Sequence, residues 1–98
     1  MTIEYSCRAW APLAMSASDV LDALRAALAR DGRVLAPVVA YDLAQRRIDA
    51  IFQVETVDGA GAATTLAVGA FDAALAAAGL EQRTRGVSIV AGGPHELP

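Results

Sequence analysis

The second half of the chain repeats the pattern of the first half at an offset of 47 positions. Tyr5 falls on Phe52, Leu24 on Phe71, and Gly32 on Gly79. Each half has the pattern of a strand, an amphipathic helix followed by glycine, and a second strand. The sequence therefore predicts a duplicated strand-helix-strand unit, which constrains the fold and leaves the function open.

The first unit begins with residues 2–10, where apolar and polar side chains alternate as in a half-buried strand. Ser16 followed by Asp19 is similar to a capping box and predicts a helix that begins near Ala17. Gly32 is placed to end this helix in the left-handed conformation. The apolar stripe of the helix is expected to contain Val20, Leu21, Leu24, Ala27 and Leu28.

Two strands joined by a short turn follow this helix. Residues 33–41 are rich in β-branched side chains and contain Pro37, which predicts a strand at the edge of a sheet because proline cannot donate a backbone hydrogen bond. Residues 47–56 alternate strictly and give the clearest strand signal in the chain. The short 42–46 connection makes these two strands an antiparallel hairpin.

The second unit is completed by a helix and a last strand. The helix is predicted over residues 63–78, with Val68, Phe71, Leu75 and Ala78 on its inner stripe and Gly79 at its end. The strand is predicted over residues 82–91. Residues 1–91 would form a single domain and residues 92–98 a flexible tail.

The element order β-α-β-β-α-β with right-handed crossovers predicts an α+β fold. Its four-stranded antiparallel sheet is expected to have the strand order 4-1-3-2, with both helices on the face that carries Tyr5 and Phe52. The opposite face is called the open face below. It is expected to carry Glu4, Ser6, Arg8, Trp10, Asp49, Ile51, Gln53 and Glu55.

Composition narrows the possible partners. Eight basic residues, all arginine, against eleven acidic residues give a formal net charge of −3, which disfavours nucleic acid as a partner. A single cysteine excludes an internal disulfide, and we expect a cytoplasmic protein. A membrane span is not expected, because glycines, threonines and Asp72 dilute the hydrophobicity of the second helix.

An arginine cluster is the strongest candidate binding site. The topology places three connections at one end of the sheet, which would bring together Arg8, Trp10, Arg46, Arg47 and Arg83. Guanidinium groups beside an indole can hold a small anionic or carboxylate-bearing ligand. The same residues could instead form a solvated rim paired with Asp42 and Glu81.

The second helix is a candidate interface because Asp72 is the only charged residue between Gly59 and Leu80. Small outward-facing residues let another helix approach closely, although alanine-rich helices are also common in proteins from GC-rich genomes. The predicted interface combines this side of the helix with part of the open face, and comprises Thr65, Gly69, Asp72, Ala73, Ala76, Ile51 and Gln53.

Groups with catalytic or cofactor chemistry are sparse. Cys7 is expected in the core as an inert thiol, and His95 has no positioned serine, cysteine or metal ligands beside it. Asp49 and Glu55 are expected to be solvated surface groups, too far apart for shared acid-base work. A glycine pair before the second helix lacks the third glycine and the parallel sheet of a dinucleotide site. We predict no catalytic residue, no metal and no cofactor.

The chain resembles small uncharacterised actinobacterial domains of the ferredoxin-like (αβ-plait) type over most of its length. The resemblance rests on the segments 47–55 and 75–80, RIDAIFQVE and LAAAGL. It implies a fold that hosts many functions. We expect a noncatalytic interaction or small-molecule regulatory module that forms a homodimer or docks on a larger protein. The alternative is a small cofactor-independent enzyme of the dimeric αβ-barrel type, with a pocket near Trp10.

Overall fold

The computed structural model describes residues 2–92, which form a four-stranded antiparallel sheet and two helices. The predicted α+β class and element order are confirmed. Residues 93–98, which include His95 and most of the predicted tail, lie outside the described residues. The elements are β1 (Ile3–Pro12), α1 (Ser18–Arg30), β2 (Leu35–Asp42), β3 (Arg47–Thr56), α2 (Ala60–Ala77) and β4 (Gly86–Ala91).

The strands lie in the order β2-β3-β1-β4, which reads 4-1-3-2 when counted from the other edge of the sheet. β1 pairs antiparallel with both β3 and β4, and β2 pairs antiparallel with β3. Pro37 is on an edge strand, as its missing N–H requires. The register of β2 shifts between Leu35 and Val38, where Ala36 has a φ of 51°.

Both helices pack on one face of the sheet. Tyr5 and Cys7 of β1 and Phe52 and Val54 of β3 point into this core, where each is at most 5% exposed. They meet the fully buried side chains of α1 and α2, which are Leu24, Leu28, Ala63, Ala67, Phe71 and Leu75. The predicted core face of β3 is therefore confirmed, and that of β1 is confirmed except at Ile3, which is exposed. On α1, Leu24 and Leu28 are buried, whereas the other members of the predicted stripe are partly buried against the core.

The inner side of α2 differs from the prediction. Phe71 and Leu75 are buried as expected, but Val68 and Ala78 are only partly buried. Alanines occupy the remaining buried positions of the helix, namely Ala63, Ala67, Ala70 and Ala74. A methyl side chain lets the helix backbone approach its neighbours closely, so these four alanines surround the two large buried side chains, Phe71 and Leu75.

The first helix begins near Ala17 as predicted, but the capping predicted at each of its ends is wrong. Ala17 precedes α1 and makes no side-chain capping bond, so Ser16 and Asp19 do not form a capping box. At the other end, Asp31 follows the helix in an extended conformation, and its carboxylate accepts a hydrogen bond from the backbone N–H of Arg33. The carboxylate therefore fixes the turn that follows the helix, and Gly32 does not adopt the left-handed conformation predicted for it. The second helix does end as predicted, with Gly79 at a φ of 81°.

The last strand is shorter than predicted. β4 begins at Gly86, and residues 81–85 form a connection without regular secondary structure before it. This connection is held by Asp72 of α2, whose Oδ1 accepts hydrogen bonds from the backbone N–H and the hydroxyl of Thr84, both at 2.7 Å. The backbone N–H of Arg85 donates to the carbonyl of Trp10 at 2.8 Å.

Candidate functional site on the open sheet face

The strand register arranges the open face in rows that cross the sheet. One row places Trp10 beside Asp49 and Gly86, and the next places Arg8 beside Ile51. No helix covers these rows, because the core side chains of both helices lie on the other face. The rows define which open-face side chains can act together.

Asp49 is buried although it lies on the open face, which corrects the prediction that it is a solvated surface group. Its residue is only 6% exposed. Arg8 and Arg47 pack against its carboxylate, with their Nε atoms 3.7 Å and 3.3 Å from Oδ1. The aliphatic stems of two neighbouring arginines can exclude water from a short side chain between them.

The contacts of Asp49 compensate its charge better than they satisfy its hydrogen bonds. Arg47 donates from Nε to Oδ2 at 3.4 Å, which is a long hydrogen bond. Oδ1 lies near both guanidinium groups but accepts no hydrogen bond with good geometry within residues 2–92. A buried carboxylate with two cations beside it holds both cations in place, because moving either one away would leave buried charge uncompensated.

Trp10 is fixed from two sides. The guanidinium carbon of Arg47 lies 4.8 Å from the centre of the indole ring, which is a cation–π contact. On the neighbouring strand, a Cβ at Gly86 would collide with the indole Nε1. Glycine is therefore required at position 86 for the indole to lie across β4, and the ring shields the backbone of that edge strand.

Two open clefts lie side by side on this face. One, of about 290 Å³, is lined by Arg8, Trp10, Arg47, Gly86, Val87 and Ser88. The other, of about 400 Å³, is lined by Arg8, Val38, Ala40, Tyr41, Asp42, Leu43, Asp49 and Ile51. Arg8 borders both clefts, and its side chain is 54% exposed. The first cleft is polar, whereas the second has an apolar wall.

The structure brings together three of the five predicted ligand-binding residues. Arg8, Trp10 and Arg47 line one cleft. Arg46 is exposed in the hairpin turn with a φ of 52°, and Arg83 is exposed in the connection before β4; neither lines either cleft. Sequence reasoning overlooked Ser88, because its place in the cleft depends on the pairing of β4 with β1.

Hydrogen bonds join two of the three connections that were predicted to meet at this end of the sheet. The hydroxyl of Tyr41 donates to the carbonyl of Leu13 at 2.7 Å, and the backbone N–H of Leu13 donates to the carbonyl of Arg46 at 3.0 Å. These bonds tie the segment after β1 to the β2–β3 hairpin. The hairpin is thereby fixed beside the cleft that Arg8 borders.

The predicted interface residues divide into two groups. On the open face, Ile51 is 46% exposed and Gln53 is half-buried. On α2, the exposed members are Thr65, Ala73 and Ala76.

Two helix residues of the predicted interface are not freely presented. Asp72 is half-buried and bound to Thr84, which corrects its predicted outward position: its carboxylate is used inside the molecule. Gly69 lies beside the guanidinium of Arg33, which a Cβ at this position would approach to 3.5 Å. The outward side of α2 is thus partly covered by the chain itself.

Two titratable groups outside the open face, Cys7 and Asp31, have pKa values that are shifted by their surroundings. Burial raises the pKa of the Cys7 thiol to about 11, so this thiol stays protonated and inert at neutral pH. Hydrogen bonds from Arg33 lower the pKa of Asp31. Across residues 2–92, no group of three or more histidine, cysteine, aspartate or glutamate side chains is arranged to hold a metal ion.

α2 is long and apolar enough to cross a membrane by length and composition alone, with a mean hydropathy of 1.4 over Ala60–Ala77. One third of it is buried within the molecule. A core helix of a soluble protein can have the same length and composition, so this property is compatible with a soluble protein.

Comparison with known proteins gives no relative: no family model, no curated protein and no solved structure matches the chain. The open face must therefore be interpreted from its own geometry.

Proposed function

We propose that the chain is a ferredoxin-like plait that serves as a noncatalytic interaction or small-molecule regulatory module. It acts through self-association or by docking on a partner protein, and the open face is the surface it uses. The observation that carries this proposal is an apolar strip on a sheet face that no helix covers, next to charges held in fixed positions.

The apolar strip crosses from the edge of the sheet to its centre. Val38 of β2 is 58% exposed and lies directly opposite Ile51 of β3, which is 46% exposed. Leu43, 76% exposed, borders the same cleft from the hairpin turn. Each of these side chains would gain about 1 kcal/mol or more from being covered by a partner. Contiguous exposed apolar surface with a polar border is typical of interaction sites.

The charged side chains beside the apolar strip would orient a bound partner or ligand. Asp49 holds Arg8 and Arg47, so their donor groups lose little conformational entropy when a carboxylate or another acceptor binds. Arg8 is more than half exposed and keeps donor groups available. A partner or ligand with an acidic group would fit beside the apolar strip.

A small cofactor-independent enzyme of the dimeric αβ-barrel type is the alternative. The polar cleft near Trp10 favours it, because Arg8, Arg47 and Ser88 all line that cleft. Against it, the cleft is open along the sheet, and the buried carboxylate of Asp49 already lies between two cations. A turnover that Asp49→Asn abolishes, without a change in molecular mass, would select the enzyme.

The proposal is tested by light scattering and Trp10 fluorescence on one set of samples. Trp10 is the only tryptophan and lies on the open face, so its emission reports coverage of that face. We expect the mass to rise with concentration up to about 100 µM, or the emission to change on addition of anionic metabolites from a broad panel. A constant monomer whose emission does not respond to any of these compounds would overturn the self-association and small-molecule routes and leave docking on a larger protein as the only route.

A further inference from the structure

We propose that the free edge of β4 pairs with the same edge of a second copy, antiparallel and about a two-fold axis at Ile89. The two sheets would then join into one continuous sheet, with the helices of both copies on the same face. This edge is separate from the open face, so the inference goes beyond the proposed function.

The backbone of β4 leaves three residues unpaired on its outer side. Gly92 donates its N–H to the carbonyl of Glu4 at 2.7 Å, so the even-numbered residues of β4 are the ones that bond to β1. The odd-numbered residues direct their N–H and C=O groups away from β1, and these residues are Val87, Ile89 and Ala91. No strand of residues 2–92 lies beyond them.

β4 also lacks the features that protect a sheet edge. Natural edge strands are commonly protected by charged side chains, proline or a bulge. Residues 86–92 contain neither a charge nor a proline, and β4 pairs with β1 without a register shift. The β-branched side chains of Val87, Ile89 and Val90 favour strand pairing. The edge can therefore accept a further strand.

The unpaired groups of β4 are complementary to those of a second β4. With the two-fold axis at Ile89, this residue lies opposite its own copy, and Val87 lies opposite Ala91. Each such pair exchanges two backbone hydrogen bonds, so every outward N–H and C=O group finds a partner. The symmetry would also bring any charge in the strand close to its own copy, and the strand contains none.

Trp10 does not block this pairing. The indole lies across β4 at Gly86. In the proposed register the residue opposite Gly86 is Gly92 of the second copy, which has no side chain to collide with the ring. The next residues on the open face, Ser88 and Val90, lie opposite each other and are both uncharged.

Pairing would also extend the core beyond β4. Val87 and Ile89 pack against the core but are only partly buried, whereas their neighbours on β1, Ala9 and Cys7, are 0% and 1% exposed. The difference arises because β1 has a strand on each side and β4 has a strand on one side. A second β4 would cover the outer side of both partly buried residues.

The composition of α2 suits this arrangement. α2 packs on β4, and a two-fold axis perpendicular to the sheet places the two copies of α2 beside the junction. Asp72 is the only charged residue in Ala60–Ala77, and its carboxylate is bonded to Thr84. The two helices can therefore lie near each other without charge repulsion.

The interface is small, so the dimer should be weak. β4 has six residues, which at about 3.3 Å each give an edge roughly 20 Å long, and the smallest extent of the molecule is 19 Å. The contact face is then roughly 400 Å² per copy, which belongs to the transient class. Main-chain hydrogen bonds supply the affinity in strand addition. We expect a dissociation constant on the order of 100 µM.

Amide hydrogen exchange measured by NMR tests the pairing directly. In the monomer the N–H groups of Val87, Ile89 and Ala91 point to solvent and should exchange fast. Raising the protein concentration from about 50 µM to about 1 mM should slow their exchange about threefold, in proportion to the loss of monomer. The N–H groups of Ser88 and Val90 bond to β1 and should exchange slowly at both concentrations.

A proline on the outer side of β4 tests the hydrogen bonds. Ala91 is exposed and its N–H points outward, so the monomer should tolerate Ala91→Pro. This variant loses a hydrogen bond on each side of the axis, and sedimentation should show a dimer at least tenfold weaker. Ala91→Ser keeps the N–H and is the matched control, with an unchanged dissociation constant. Circular dichroism melting checks that both variants are folded.

The register is tested with charges at positions 88 and 90, which lie opposite each other only when the axis is at Ile89. Ser88→Lys combined with Val90→Lys sets like charges together and should abolish the dimer up to about 1 mM. Ser88→Glu combined with Val90→Lys sets opposite charges together and should restore it. Val57→Lys, at an exposed position after β3, should have no effect. These variants also decide the question if Ala91→Pro fails to fold.

The outcomes separate this inference from the proposed function. Slow exchange at the odd-numbered residues that does not depend on concentration would mean that the chain itself covers the edge, and would overturn the pairing. Fast exchange at about 1 mM would also overturn it, and a charge swap that fails to restore the dimer would overturn the register. A dimer that resists Ala91→Pro but is lost in Val38→Lys, on the open face, would assign self-association to that face and leave the proposed function in place.

Discussion

The two faces of the sheet are formed by the same strands but are stabilised by different interactions. On the covered face, neighbouring side chains such as Cys7 and Phe52 are apolar and about 1% exposed. On the open face, the most deeply buried side chain is a carboxylate, that of Asp49. The covered face is stabilised by exclusion of water, whereas the open face is organised by charge pairing around one buried acid.

The two faces therefore determine different properties: side chains on the covered face determine the fold, and side chains on the open face are expected to determine binding. Burial on the covered face is non-directional and tolerates many apolar sequences of suitable volume. The charges of the open face depend on direction and register, so a shift of one residue would move Arg8 and Asp49 to the core. Substitutions on the two faces should therefore have different effects, and four predictions test this.

The largest contrast is expected between two adjacent residues of β3. Phe52→Ala should lower the free energy of unfolding by about 3–5 kcal/mol, because it leaves a cavity in the core. Ile51→Ala, on the open face, should change it by less than about 0.5 kcal/mol in the monomer. Denaturant unfolding of dilute protein measures both. Equal losses would mean that the open face is covered within the folded chain.

A smaller effect is expected where the indole crosses β4. Gly86→Ala places a methyl group against Trp10 and should destabilise the protein by about 1–3 kcal/mol. Trp10→Ala in the same chain should remove most of that loss, because the collision disappears. Thermal unfolding of the two single variants and the double variant measures the coupling, and strictly additive losses would contradict the contact.

The third prediction concerns the buried carboxylate of Asp49. Asp49→Asn should lower stability by about 1–2 kcal/mol, because Arg8 and Arg47 lose the charge that holds them. It should also shift Trp10 emission, since Arg47 stacks on the indole. Glu55→Gln, a similar change on the exposed part of β3, is the control. Unchanged emission in Asp49→Asn would show that Arg47 is positioned by other contacts.

The smallest expected effect is a pH dependence of stability at Asp31, which lies after α1 and outside both faces of the sheet. The pKa of Asp31 is lowered by Arg33, so its charged form stabilises the folded state. This contribution is complete above the ordinary aspartate pKa of about 4 and is lost as the pH falls through the lowered value. Asp31→Asn should therefore melt below wild type at pH 7, and the difference should vanish in acid. Asp22→Asn, in an exposed pair, should show little difference at either pH.

Much of the fold was predictable because periodicity encodes burial. The alternation in residues 47–56 gave β3 with its observed bounds, and the internal repeat placed Tyr5 and Phe52 on one face. Local chemistry was less predictable. At the end of α1, Asp31 follows the helix in an extended conformation and its carboxylate accepts from the backbone N–H of Arg33, so the left-handed turn expected at Gly32 does not form.

The candidate site was predicted only where topology determines it. Arg8, Trp10 and Arg47 are brought together by strand order and alternation, both visible in the sequence. The burial of Asp49 was not predictable, because it depends on how two arginine side chains pack across neighbouring strands. The same limit applies to Asp72, whose partner Thr84 lies in a segment predicted to be part of a strand.

The irregular start of β2 has a consequence for assembly. An exposed sheet edge can recruit further strands and extend without limit into a fibre. In this chain the left-handed backbone at Ala36 and the missing N–H of Pro37 interrupt the outer edge of β2. The β2 edge is thus closed to sideways growth, which leaves β4 as the edge strand through which further strands could add.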